Sequence, residues 1–171
     1  MSDAPFLVRS ARPADLTDLM RMKIALATAD DALNAVIATP DDWMNDVFGN
    51  TPRFAAFIAE CGGIAIGMAT CSERFVTGWA GPTVYLQDLF VDTAHRRRGI
   101  GAALVARVAA FAAERGSPIL EINVRTDNPA CHFYRRYGFQ EVRNCAVYIA
   151  GADVLQRLAA AALSPSETID G

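Results

Sequence analysis

Arg96-Arg97-Arg98-Gly99-Ile100-Gly101 joins the apolar run Thr83-Val84-Tyr85-Leu86-Gln87-Asp88-Leu89-Phe90-Val91 to an amphipathic run over residues 102–114. A strand, a basic turn containing glycine and a long helix in that order put several backbone N–H groups at a helix N-terminus, where an anion is favoured. The glycines let the main chain approach phosphate oxygens with no Cβ between them, and the arginines add charge. The turn therefore reads as a pyrophosphate seat. A nucleotide P-loop is excluded because no Gly-Lys-Ser/Thr closes the turn, and a dinucleotide fold because the G-x-G-x-x-G spacing is absent. An ordinary strand-to-helix turn with solvated arginines is the alternative that these six residues leave open.

The 171 residues carry no internal repeat or low-complexity linker, so one domain is expected over residues 1–163, followed by a frayed polar tail at 164–171. A hydrophobic share of 52% with a net charge of −3 indicates a soluble globule. No apolar run reaches membrane-spanning length, and Met1-Ser2-Asp3-Ala4-Pro5-Phe6-Leu7 lacks the blocks of a signal peptide, so a cytoplasmic location with no membrane partner is expected. Cys61, Cys71, Cys131 and Cys145 are scattered without C-x-x-C or Cys/His spacing. Neither a metal site nor a disulfide framework is expected, and buried thiols are. The acidic balance speaks against a nucleic-acid partner, while the arginine cluster still makes a local patch for one phosphorylated ligand.

Outward from the turn, Leu7-Val8-Arg9 reads as a short strand, and Pro13 and Asp15 open a helix whose apolar side is Leu16, Leu19, Met20, Lys23 and Ile24. A second helix is expected at residues 40–48, with Thr39 as cap and Asp41 and Asp42 in its first turn. Strands over residues 54–60 and 64–72 flank Cys61-Gly62-Gly63, a hairpin signal. A helix over 100–115 presents Leu104, Val105, Val108 and Phe111 and stops before Gly116. Then come a strand at 119–124, a short helix begun by Asp127-Asn128-Pro129 and closed by Gly138, a last strand at 146–149, and an alanine-rich helix at 152–163. The fold class is α+β: a mixed, mostly antiparallel sheet flanked by helices.

The same six-residue turn resembles the acetyl-coenzyme A signature Arg/Gln-x-x-Gly-x-Gly/Ala of the GNAT superfamily of N-acetyltransferases, here Arg96, Gly99 and Gly101. Gly62-Gly63-Ile64-Ala65-Ile66-Gly67 resembles the family's second hairpin, and Phe133-Tyr134-Arg135-Arg136-Tyr137-Gly138-Phe139 its later Phe-Tyr-x-x-x-Gly-Phe motif. Thr77-Gly78-Trp79-Ala80-Gly81-Pro82 followed by Tyr85-Leu86-Gln87-Asp88-Leu89-Phe90-Val91 is most similar to the diamine (spermidine/spermine-like) branch. The resemblance covers roughly residues 6–160.

What the resemblance implies is a sheet splayed at its fourth strand and an acetyl-CoA-dependent transfer to a primary amine, by direct attack in a ternary complex. It implies that Leu89, Phe90 and Val91 offer backbone hydrogen bonds to the pantetheine arm. Arg96, Arg97, Arg98, Gly99, Ile100, Gly101 and Ala102 would meet the pyrophosphate, and Asn128 is carried over as a further cofactor contact. Tyr134 would protonate the departing thiolate. Gln87 stands where the branch has a glutamate that draws the amine's proton, and an amide is no base. Asp88 is the nearest carboxylate, on the opposite face of a regular strand unless a bulge redirects it. Trp79, Asp31 and Gln87 are the acceptor-side candidates, with Asp30, Asp41 and Asp42 further sources of negative charge. His95 and His132 need no catalytic role. The expected acceptor is a small molecule: a polyamine, a diamine or a lysine-like amino acid. Acetylation of a protein or an aminoacyl-tRNA, or a non-catalytic acyl-CoA-binding regulatory module, stand as alternatives, and the resemblance implies a homodimer.

Overall fold

Gly62 and Gly63, with φ of 58° and 80°, fold β2 (Ala55–Cys61) back onto β3 (Ile64–Val76), two consecutive positive φ values that L side chains resist. The computed structural model describes residues 5–79, 81–143 and 149–162, without the side chains of Trp79 and of 160–162. The strand expected at 146–149 therefore lies, at 146–148, outside the described residues, as does the tail at 164–171.

β1 (Leu7–Ser10), β2, β3 and β4 (Gly81–Val91) pair antiparallel in chain order, and β5 (Leu120–Glu121) adds to β4 in parallel. The α+β class with a mostly antiparallel open sheet is as expected. β5 is shorter than the expected strand at 119–124: among the described residues its ladder stops at Tyr85↔Glu121, two residues before β4 bulges at Gln87.

Helices α1 (Leu16–Ala29), α2 (Pro40–Phe48) and α3 (Ile100–Glu114) complete a first compact unit, Met1–Asn123. α4 (Ala130–Arg136) and α5 (Ala152–Ala162) belong to a second, Val124–Gly171. α2 begins at a capping box: Thr39 Oγ1 accepts from Asp42 N–H at 3.2 Å, and Asp42 Oδ2 accepts from Thr39 N–H at 2.8 Å. α3 ends as the glycine at 116 foretold, with Ser117 N–H donating to Ala112 C=O at 2.9 Å and Gly116 N–H to Ala113 C=O at 3.0 Å. α4 ends the same way at Gly138, whose φ is 86°.

One sheet face is covered by Leu19 and Met22 of α1 and Trp43 of α2, packed on Ala56, Ile58, Met68 and Phe90. The α1 stripe thus differs from expectation: Met22 is fully buried, Ile24 is exposed, and Lys23 turns inward for a polar partner described below. α3 covers the opposite face, burying Ile100, Leu104 and Val108, while Phe111 meets Phe57 edge to face at 5.9 Å. The close approach needs Gly67, where a Cβ would lie 2.9 Å from Phe90 O and 3.3 Å from Leu104 Cδ1.

Candidate active site

Thr70 opposes Asp88 and Cys71 opposes Leu86, so Gln87 is an extra residue without a partner on β3. This bulge resets the alternation of β4. Tyr85, Gln87 and Asp88, which a regular strand would divide between two faces, line one open pocket of about 320 Å³ with Lys23, Trp43 and Phe54. The regular-strand expectation for Asp88 is therefore overturned, and the bulge allowed from sequence is present.

Asp88 is only 8% exposed. Its Oδ1 accepts from Lys23 Nζ at 2.6 Å and its Oδ2 from Thr70 Oγ1 at 2.7 Å, so each oxygen is already engaged. The Arg74 guanidinium stacks over Tyr85, 4.3 Å from the ring centre, and pairs with Glu121. Trp43 and Phe54 meet edge to face at 5.2 Å. Lys23, Trp43, Phe54 and Tyr85 were not among the candidates read from sequence. The signal was there for Lys23, an ammonium at a position flanked in the helical pattern by apolar residues.

Downstream of the bulge, β4 turns its backbone over. Val84 N–H donates to Ile119 C=O at 3.0 Å, on the β5 side, whereas Asp92 N–H donates to Ile66 C=O at 2.9 Å, on the β3 side. By the alternation of an antiparallel ladder, Phe90 spends its polar backbone groups on β3, while those of Leu89 and Val91 point to the side β5 leaves open. Phe90 thus faces β3 with its backbone, and its side chain is core, the residue being 7% exposed. Val91 keeps its N–H for that edge, since its C=O accepts from Arg96 Nε at 3.0 Å.

The chain then runs through a 3-10 turn, Thr93–His95, into Arg97 with φ 61° and Gly99 with φ 81°. Such left-handed positions curl successive N–H groups into an anion-binding concavity. Space does not demand the glycine, because a Cβ at Gly99 would meet nothing within 4 Å; the positive φ demands it. Ala103 N–H donates to Gly99 C=O at 3.0 Å, so the N–H groups of Ile100, Gly101 and Ala102 precede the first helical bond. Ile100 contributes backbone only, its side chain being buried in the core. Arg96 and Arg97 are exposed and Arg98 is half-buried, and His95 Nδ1 is buried with no hydrogen-bond partner among the described residues.

Tyr134 and Asn128 lie in the second unit. Tyr134 is 7% exposed on α4, its ring edge to face with Phe133 at 5.1 Å and Phe139 at 5.4 Å, and burial pushes its phenol above the ordinary tyrosine value. Asn128 Oδ1 accepts from Ala130 N–H at 2.9 Å, which starts α4; Asp127 instead pairs with Arg125 at 2.7 Å. Asp31 does not line the pocket: with φ 54° it ends α1 and is exposed. Asp42 is committed to its cap. Trp79 ends a 3-10 turn, its side chain outside the described part. Of the cysteines, Cys71 is buried with its thiol pushed up to about 12, and so has no nucleophilic fraction at neutral pH, whereas Cys61 and Cys131 are half-buried rather than buried.

A family model described as Acetyltransferase (GNAT) family matches residues 25–139. The chain is 29% identical over 144 residues to the thialysine N-epsilon-acetyltransferase of Mus musculus, covering 79% of this chain and 84% of that protein. It is 31% identical over 114 residues to the spermidine/spermine N(1)-acetyltransferase-like protein 1 of Homo sapiens, covering 63% of this chain but 16% of that longer protein. Among solved structures, an integron cassette protein from the mobile metagenome of V. cholerae superposes with a TM-score of 0.73 at 24% identity, covering 90% of this chain and 97% of that one. An aminoglycoside N-acetyltransferase in complex with CoA superposes with a TM-score of 0.69 at 23% identity, covering 87% and 97%. Both are likenesses of fold. The signature turn, the bulged and half-open fourth strand and the match to the family model agree: the chain belongs to the GNAT family of acetyltransferases.

Proposed function

We propose that this protein transfers the acetyl group of acetyl-CoA to a primary amine of a small molecule, by direct attack within a ternary complex. The observation that carries this reading is the continuity, within one unit, of the open edge at Leu89 and Val91 with the Arg97–Gly99 turn and the start of α3. An extended amide arm fits the edge like an added strand, and a diphosphate fits the N–H groups of Gly99, Ile100, Gly101 and Ala102 beside the guanidiniums.

Acetyl-CoA supplies an activated thioester; a neutral amine nitrogen forms a C–N bond as the C–S bond breaks, its surplus proton leaves to solvent water, and the thiolate takes a proton from a donor that water reprotonates. Tyr134 donates that proton, and the upward shift of its phenol keeps it protonated through the working range. Gln87 orients the amine or a water, since an amide removes no proton. Asp88, held by Lys23 and Thr70, shapes the acceptor pocket rather than acting as base. Asn128 starts α4 through its Oδ1, which fixes the helix that carries Tyr134. The relatives named for thialysine, spermidine/spermine and aminoglycosides are consistent with an amine acceptor without choosing among them.

Calorimetry with acetyl-CoA, followed by thiol release on adding primary amines, tests the reading. Micromolar binding and amine-dependent thiol are expected. Gly99→Val, which forbids the positive φ, should weaken acetyl-CoA binding at least tenfold while circular dichroism stays native. Binding without thiol release from any amine would leave an acyl-CoA-binding module in place of an enzyme.

A further inference from the structure

Among the described residues that line the acceptor pocket, the two charged ones, Lys23 and Asp88, are paired with each other. Lys23 from α1 faces Asp88 from β4 at 2.6 Å, and the flanking Arg74 from β3 pairs with Glu121 from β5. Asp42 caps α2, Asp46 pairs with Arg53 at 3.3 Å, and Asp31 does not line the pocket. A polyamine, which brings two or more positive charges, would meet an ammonium already seated on Asp88, the one buried carboxylate among the described residues. An ammonium has three hydrogens, and Asp88 uses one of Lys23's. Lys23 is still 29% exposed, and it lines the cavity together with Trp43, Phe54 and Tyr85, whose rings suit a short methylene chain.

We propose that the acceptor bears its own carboxylate, that the Lys23 ammonium receives it, and that the pocket therefore selects amino-acid-like amines over polyamines. This rests on the acetyltransferase reading and deepens it by naming the substrate class. Lys23 is a specificity-determining residue: Asp88 fixes its ammonium from one side, and the acceptor's carboxylate completes its coordination from the cavity. The acceptor amine is left at the far end of the methylene chain.

Lysine, 1,5-diaminopentane and 6-aminohexanoate form a matched set, since the second is lysine without its carboxylate and the third is lysine without its α-amine. With acetyl-CoA saturating, kcat/KM for lysine and 6-aminohexanoate should exceed that for 1,5-diaminopentane at least tenfold. In Lys23→Met, turnover of 6-aminohexanoate should fall at least tenfold while that of 1,5-diaminopentane rises, because Asp88 is released to meet a second cation. A wild type that prefers 1,5-diaminopentane overturns the proposal, as does a variant that loses all three activities in equal proportion. Direct calorimetric binding of 6-aminohexanoate to the acetyl-CoA-loaded protein, absent in Lys23→Met, supports it independently of turnover. If that binding is seen and no amine is acetylated, the enzymatic reading falls and the carboxylate site stands; if 6-aminohexanoate binds both proteins alike, the carboxylate site falls.

Discussion

In the proposed reaction, Gln87 decides how protons are handled. A free aliphatic amine, with a pKa near ~10.4, is mostly protonated at neutral pH, and an amide offers it no base. The rate should therefore climb with pH through the alkaline range, and because burial shifts Tyr134 upward, no descending limb should appear before pH ~10. Gln87→Glu should raise kcat/KM at pH 7 by roughly 10² and flatten that rise; a pH–rate profile unchanged by the substitution would count against the role given to this position. Tyr134→Phe should lower kcat by about 10²–10⁴ with acetyl-CoA affinity unaltered, read by steady-state kinetics beside calorimetry. Equal turnover in the variant would remove Tyr134 as proton donor. Thr70 is fully buried and donates to Asp88, so Thr70→Val should cost about 1.5–3 kcal/mol in denaturant unfolding.

At the scale of elements, the bulge in β4 sets the site's architecture. It moves Asp88 onto the pocket side and turns the main chain of Leu89 and Val91 toward the open edge, so one extra residue serves both halves of the site. Periodicity located β4 because its apolar run is long, and glycine placed the ends of α3 and α4, since only the local backbone is involved. The bulge was legible only as an option, because whether Gln87 pairs depends on β3, a strand some fifteen residues away in sequence. Lys23 was read as part of an apolar stripe for the same reason: its partner Asp88 is 65 residues distant. Gly67 sits where α3 approaches the sheet most closely, and Gly67→Ala, with its Cβ 2.9 Å from a backbone oxygen, should destabilise by about 1–3 kcal/mol in chemical denaturation. An unshifted denaturation midpoint would mean that α3 relaxes freely away from β3.

Over the whole molecule, acid stability should follow a few depressed carboxyls. Arg9 grips Asp15 at 2.7 Å and 2.9 Å and Glu60 at 2.7 Å, tying β1, the turn before α1 and β2 together. That grip holds the Asp15 carboxyl below its usual range, chiefly through hydrogen bonds from Arg9 and against the opposing effect of burial. A carboxyl whose folded value is depressed stabilises the fold above its unfolded value of ~3.9 and loses that contribution as pH falls through the folded value. Urea midpoints should thus decline below pH ~4, and less steeply in Arg9→Met; parallel declines in the two proteins would refute the assignment. By itself the sequence determined the α+β class, the glycine-bounded helices, the basic glycine turn before α3 and the absence of a base at Gln87, because each depends on local backbone preference or on the chemistry of a single side chain. Only the tertiary structure decided that Asp88 is sequestered by Lys23 and Thr70, that Phe90 is core while Leu89 and Val91 face the open edge, and that the pocket is charge-neutral. These depend on register and on which distant elements meet, and side-chain spacing along one strand or helix does not encode its neighbours.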